Sequence, residues 1–298
     1  MLKRQYGVEK VDVVIPTHFH DDHVAGINLL RTVENTQHWA AESFTDILEN
    51  PEHYDLPCLW YDPIPVDRRL PLETPIQWEE YTLMLYPLPG HTLYAVAIAF
   101  EVDGQKVLAT GDQYQGDNGL ELNYVYPNRF QPGDYRKSAE LYKRVNPDLI
   151  ISGHWESLRV TSEYLEQLET GGEELVRLHH ELLPEIPDLG AEGFVARLSP
   201  YQATVRKGET IQFQVEIDNP FDRPSEAIIQ VIVPEGWRTV SGKQEMLSIQ
   251  LETSTSNSTT FKVIAPEDKT MRRARIAVDV TIDGHRFGQQ AEALVTII

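Results

Sequence analysis

The stretch Thr17-His18-Phe19-His20-Asp21-Asp22-His23 constrains this chain more than any other. It places three histidines and two aspartates within seven residues, between the apolar run Val11 to Ile15 and the apolar Val24-Ala25-Gly26-Ile27. Such a density of imidazole and carboxylate suits a borderline divalent ion rather than a hydrophobic core. His18 and His20, two apart at the end of an extended segment, project toward one side. Asp22 and His23 then open a helix and point back to the same place. The fold must therefore end a buried strand at Pro16 and start a helix within a few residues, with polar side chains converging between them.

The chain begins with Leu2 to Tyr6 as a helical turn closed by Gly7. Val11 to Ile15 reads as a buried strand, and Val24, Ile27, Leu30 and Val33 recur at helical spacing from Asp22 to about Glu34. A short helix is expected from Glu42 to Leu48. Pro51, Pro57, Pro63, Pro65, Pro71 and Pro75 then mark an irregular passage. Tyr81 to Tyr86 reads as a strand. Ala95 to Phe100 and Val107 to Ala109 form a hairpin about Asp103-Gly104. A helix from Asp134 to Val145, with Asp134 as N-cap, leads to the strand Asp148 to Ile151, and one or two helices fill Ser162 to Leu183. Three strands end in glycine followed by a metal-capable side chain: Gly90-His91, Gly111-Asp112 and Gly153-His154. Glycine there permits a sharp turn and a close backbone approach.

Between Pro184 and Gly193 the sequence changes character, and from there on it alternates apolar and polar residues at strand spacing. About seven short strands fit the last hundred residues, which suits an immunoglobulin-like sandwich. The expected domains are therefore residues 1–190 and 191–298. Asn219-Pro220 and Pro234-Glu235-Gly236-Trp237 resemble the NEW3-type sandwich domains appended to secreted bacterial enzymes. That resemblance leans toward a secreted or periplasmic location, with the cytoplasm left open.

Composition narrows the partners. The 298 residues carry a formal net charge of −20, which works against attraction to phosphate backbones or anionic lipid. No nucleic acid is expected, and a small-molecule substrate is. No run approaches the ~20 apolar residues of a membrane span. The single cysteine, Cys58, excludes an internal disulfide framework and reads as a buried apolar thiol.

Four motifs in order, His18-x-His20-x-Asp22-His23, Gly90-His91-Thr92, Gly111-Asp112 and Gly153-His154, resemble the metallo-β-lactamase-fold hydrolases over about residues 8 to 180. Alone, His91 and His154 read as loop histidines and Asp112 as a turn residue; their register with the family's motifs is what marks them as ligands. The resemblance implies an α+β fold, an αββα sandwich, followed by the all-β immunoglobulin-like sandwich. It implies that His18, His20 and His91 hold one metal, that Asp22, His23 and His154 hold a second, and that Asp112 bridges them. Domains of this family place several strands and a helix ahead of the first histidine motif, whereas seventeen residues precede His18 here. The first sheet is thus expected to be incomplete, with a missing N-terminal segment or a partner completing it. Thr92 is followed by Leu93-Tyr94 where many relatives carry a glycine pair, so the thioesterase and lactonase branches are not singled out.

The expected activity is that of a dinuclear metal-dependent hydrolase, using a metal-bridging hydroxide on an ester, lactone, thioester, amide or phosphoester. Asp22 is placed to orient the hydroxide and accept its proton. The donor types favour two zinc ions and also suit iron or manganese. The rival expectation is a metal-binding, catalytically weak scaffold that acts as an interaction module.

Overall fold

A computed structural model describes residues 2–182, 189, 193–241 and 245–298. The chain separates into two compact units, residues 1–51 with 56–184, and residues 52–55 with 185–298. The boundary expected between residues 190 and 191 lies outside the described residues, as does Leu183 at the end of the last expected helix.

In the first unit, α1 (Leu2–Tyr6) leads to β1 (Val13–Val14), whose end delivers the histidine motif. The single helix expected after the motif is broken into α2 (Asp21–Val24) and α3 (Ile27–Glu34). Ala25 and Gly26 interrupt it, and the inward face shifts: Val24 and Ile27 are buried while Val33 is 63% exposed. α3 closes on Asn35 in the left-handed region (φ 56°). β2 (Gln37–Ala41) and α4 (Thr45–Glu49) follow, then β3 (Arg68–Leu70) within the proline-rich passage expected to be irregular. β1, β2 and β3 form a parallel sheet with Val13 opposite Gln37 and Trp39 opposite Arg68.

The second sheet of this unit is built from β4 (Ile76–Trp78), β5 (Tyr81–Pro87), β6 (Val96–Val102) and β7 (Gln105–Gly111). The short β8 (Tyr114–Gln115) and β9 (Glu121–Leu122) pair apart from it, and α5 (Asp134–Val145) leads into its remaining strands, β10 (Leu149–Ser152) and β11 (Leu158–Arg159). The strand order is β11-β10-β7-β6-β5-β4. β6 and β7 turn through Asp103 (φ 52°) and Gly104 (φ 72°), the two positive values that a tight hairpin requires. β7 and β10 run parallel, and their register shifts after Ile151 so that Ser152 faces Gly111. This irregularity brings the ends of β7 and β10 together. The carbonyl of Thr17 accepts from Val96 N at 2.9 Å and ties the histidine motif to the start of β6. An open apolar groove of about 340 Å³, lined by Val13, Ile15, Leu83, Ile98 and Phe100 among others, lies along this unit.

The N-cap of α5 lies one residue earlier than expected. Gly133 occupies the cap position and Asp134 is the first helical residue, fully buried, with Oδ2 accepting from Gln131 N at 2.8 Å. α6 (Ser162–Leu182) is one continuous helix. It meets α5 where Gly172 lies against the backbone of Tyr135 and Arg136. Cys58 is exposed, contrary to the buried thiol expected. Its left-handed backbone (φ 57°) aims the carbonyl at Asp21 N, 2.8 Å away, and that turn leaves the thiol at the surface.

The second unit contains β12 (Ala196–Ser199), β13 (Gln202–Val205), β14 (Thr210–Asp218), β15 (Ser225–Ile232), β16 (Arg238–Thr239), β17 (Met246–Leu251), β18 (Ser256–Ile264), β19 (Met271–Ile282) and β20 (His285–Ile297). They form a four-stranded sheet, β12-β14-β18-β16, and a five-stranded sheet, β13-β20-β19-β15-β17. The alternation read from the sequence is the burial pattern. Phe213, Val215 and Phe261 of one sheet share a core with Ile229, Val278 and Val295 of the other. His285 is exposed beside the turn at Asp283-Gly284.

Two adjacent glycines in α6 test the account of the α5–α6 contact. A Cβ at Gly172 would lie 2.9 Å from Arg136 N and 3.0 Å from Tyr135 C, whereas a Cβ at Gly171 meets nothing within 4 Å. Denaturant unfolding should show Gly172→Ala losing about 1–3 kcal/mol through overpacking. Gly171→Ala should gain about 0.5–1 kcal/mol from helix propensity.

Candidate metal centre

The seven side chains singled out in the sequence converge. The ligand atoms of His18, His20 and His91 lie within 4.8 Å of one another and form one cluster. Those of Asp22, His23, Asp112 and His154 form a second within the same limit. Each comes from the end of an element: His18 and His20 from the segment after β1, Asp22 and His23 from α2, His91 from the turn after β5, Asp112 from the end of β7 and His154 from the loop after β10.

Glycine makes that approach possible. A Cβ at Gly111 (φ 55°) would lie 2.3 Å from Thr17 Oγ1 and 3.2 Å from His18 Nδ1. At Gly153 it would lie 2.5 Å from His23 Cε1 and 2.9 Å from Asp112 Oδ1. Any side chain at either position would push ligands apart.

Within the first cluster, His20 Nδ1 stands 3.0 Å from His91 Nε2. The outward nitrogens are held from behind: His18 Nδ1 by Thr17 Oγ1 at 3.1 Å, and His91 Nδ1 by the carbonyl of Asn123 at 2.6 Å. His18 Nε2, on the inward side, has no hydrogen-bond partner among the described residues. In the second cluster, His23 Nε2 lies 3.1 Å from Asp112 Oδ1, and His154 Nε2 lies 2.9 Å from Asp22 Oδ2 and 3.2 Å from Asp112 Oδ2. The approach of His23 to Asp112 lacks hydrogen-bond geometry, and both atoms are orphaned in the described structure. Two ligands of one tetrahedral ion with bonds of 2.0–2.1 Å sit about 3.3 Å apart. Close, orphaned donor atoms at nearly that separation fit a shared cation better than a hydrogen-bonded core. Asp112 Oδ2 also lies 3.9 Å from His91 Nε2, so this carboxylate reaches toward both clusters.

The electrostatics divide the same way. Burial holds His18 well below the usual imidazole value, and the charges of His20, His23 and His91 act in the same direction. Burial and then His91 push His20 down to about 4, and burial lowers His91 too. These three rings are neutral near pH 7 and present lone pairs, the form that binds metal. His23 is raised: burial would lower it, but Asp112, Asp22 and Asp21 outweigh that. Asp112 is lowered against its own burial by His23, His154 and His91. The first cluster is buried, whereas the side chains of Asp22 and His154 are 49% and 43% exposed. The centre therefore opens to solvent on that side.

Residues that the sequence reading did not single out support the ligands. Asn123 gives its carbonyl to His91, and its Nδ2 donates to Asp112 O at 3.0 Å. Asn128 places its amide against His20 Nε2 at 2.9 Å. Gln113 accepts from His91 N at 3.2 Å and donates to Ser138 Oγ at 2.9 Å. None of these carries a local motif. His38, outside both clusters, is fully buried with Nδ1 3.0 Å from Pro65 O. Tyr114 is also packing: it is buried against Tyr135 and Tyr142, with ring centroids 5.3 and 5.6 Å away.

Residues 1–154 match the profile of the Metallo-beta-lactamase superfamily. The chain belongs to that superfamily. Among solved structures it is similar to a metallo-beta-lactamase with a HARLDQ motif from Cronobacter sakazakii, at 16% identity over 57% of this chain and 73% of the other, TM-score 0.44. It is similar to the subclass B3 metallo-beta-lactamase of Bradyrhizobium japonicum, at 17% identity over 58% and 72%, TM-score 0.39. A class B3 di-zinc metallo-beta-lactamase from an Alaskan soil metagenome matches at 14% identity over 57% and 72%, TM-score 0.39. No curated protein matches the chain.

The three lowered histidines predict a pH response in metal-free protein. Their folded forms resist protonation, so their contribution is complete above the unfolded value of 6.5 and is lost as the pH falls toward about 4, where His20 takes its proton. His23 acts in the opposite sense, but only above 6.5. The thermal midpoint should therefore drop between pH 6.5 and 4.5, and less steeply in His20→Gln. Equal slopes for the two proteins would contradict the assignment.

Proposed function

We propose that this chain is a dinuclear metal-dependent hydrolase, with His18, His20 and His91 holding one ion and Asp22, His23 and His154 the other. Asp112 spans the two. The observation that carries the reading is the pair of adjacent ligand clusters whose inward nitrogen and oxygen atoms approach to about 3 Å, several of them without a hydrogen-bond partner among the described residues. Family membership supports the same chemistry. Two bound divalent ions would supply Lewis acidity and a water acidic enough to attack at neutral pH.

The chain's own residues do the rest. His18, His20 and His91 are locked from behind and form the rigid, buried floor of the centre. Asp22 stands at the exposed side, with Oδ2 2.9 Å from His154 Nε2, where it can orient a nucleophilic water and accept its proton. Substrate approaches from that side, because Asp22 and His154 are the half-exposed ligands. Esters, lactones, thioesters, amides and phosphoesters all present an oxygen suited to such a centre. Zinc fits the donor set best, and iron and manganese fit it as well. The second unit is read as an immunoglobulin-like sandwich that binds or spaces, supported by its two sheets around one core.

Elemental analysis of purified, reconstituted protein should give close to two ions per chain. The His20→Ala, Asp112→Ala double variant should lose most of both ions and at least ~100-fold in hydrolysis of generic esters or phosphodiesters. Folded protein that takes up no metal after reconstitution would end this reading.

A further inference from the structure

His20 offers its two ring nitrogens to different neighbours. Nδ1 faces His91 Nε2 on the side where the three histidines converge, and Nε2 faces the side-chain amide of Asn128, 2.9 Å away. Asn128 is fully buried and held at several points. Its Nδ2 lies 3.3 Å from His91 O, its carbonyl accepts from Leu93 N at 3.1 Å, and its N–H donates to Val125 O at 2.9 Å. Its Oδ1, by contrast, is buried with no hydrogen-bond partner among the described residues. A side chain so tightly held, with one buried oxygen left over, calls for a role beyond packing.

We propose that Asn128 is a positioning residue: its amide sets the rotation of the His20 ring so that Nδ1, not Nε2, is presented to the ion shared with His18 and His91. The inference rests on the dinuclear reading above. A ring that gives Nδ1 to a cation carries its proton on Nε2, and that N–H needs an acceptor. The amide as placed turns Nδ2 toward Nε2, which suits a ring with its proton on Nδ1. A half-turn of the amide plane exchanges Nδ2 for Oδ1 with almost no movement of heavy atoms. The exchange gives up the contact to His91 O and moves Nδ2 to the place where Oδ1 has no partner; in return Oδ1 accepts the Nε2–H of His20, the hydrogen bond that the metal-binding form of the ring requires. An amide can serve both forms of the ring because it carries a donor and an acceptor in one plane. An alkyl group serves neither. A carboxylate serves only the form with Nε2 protonated, which is the metal-binding form.

The test is zinc affinity, measured by competition with a chromogenic chelator, alongside circular dichroism and unfolding of the metal-free proteins. Asn128→Leu should weaken the ion shared by His18, His20 and His91 about 10–100-fold, the usual cost of losing a partner behind a ligating histidine, and leave the fold intact. Asn128→Asp should stay within a few-fold of the parent, because a carboxylate oxygen accepts from Nε2–H. A residue needed only for packing would not show that rescue, since Asp buries a charge. In a His20→Ala background, Asn128→Leu should add no further loss. If the leucine variant does not fold, Asn128→Ala carries the same expectations. The inference is overturned if the apolar variants bind zinc like the parent, if Asp and Leu weaken it equally, or if the loss persists without His20. A parent that binds no zinc sinks the dinuclear reading and this inference with it. A parent with two ions that is insensitive to Asn128 sinks this inference alone.

Discussion

The crowding of five imidazoles and two carboxylates from five chain segments is the interaction on which the first unit depends. Such groups repel one another or leave buried polar atoms unpaired unless something shared lies between them. Here the backing partners, Thr17 for His18 and the Asn123 carbonyl for His91, take the outward nitrogens and leave the inward ones to face each other. The strand ends then have to meet at the same point, which is why β7 and β10 shift register at Ser152 and why Gly111 and Gly153 have no room for a side chain. Gly90 adds a third case: at φ 146° its hydrogen occupies space that a Cβ would contest with Gln113 Nε2, 2.3 Å away.

All seven candidate ligands were legible in the sequence, but by two routes: His18, His20, Asp22 and His23 form one dense local string, whereas His91, Asp112 and His154, each a glycine followed by a ligand type, stood out only through their register with the family's motifs. The hairpin at Asp103-Gly104, α5 and the alternating strands of the second unit were legible as well, since period and turn chemistry are local signals. What escaped is non-local. Asn128 meets His20 across 108 positions and Asn123 meets His91 across 32, and nothing in Tyr126-Pro127-Asn128-Arg129 marks an amide that supports a ligand. β3 is three residues long and pairs in parallel with β2 from within a proline-rich passage, so it has neither length nor alternation to reveal it. The exposure of Cys58 follows from a left-handed backbone fixed by Asp21, which composition alone does not disclose.

The two clusters differ in a way that bears on function. The all-histidine cluster is buried and made of rings held neutral by burial. The carboxylate-bearing cluster keeps Asp22 and His154 at the surface. A buried set of rings held from behind beneath an open, acidic side suits the proposed hydrolysis of an incoming substrate, since Asp22, the residue proposed to handle the proton, remains within reach of water. The formal net charge of −20 works against a general attraction for polyanions.

The most direct measurement is an anomalous difference map from crystals of zinc-reconstituted protein, collected at the zinc edge. The account predicts two peaks about 3.5–4 Å apart, as in dinuclear hydrolytic centres. One should be bounded by His18, His20 and His91, the other by Asp22, His23 and His154, with Asp112 between them. A single peak, or peaks on the surface with these seven side chains unengaged, would contradict it.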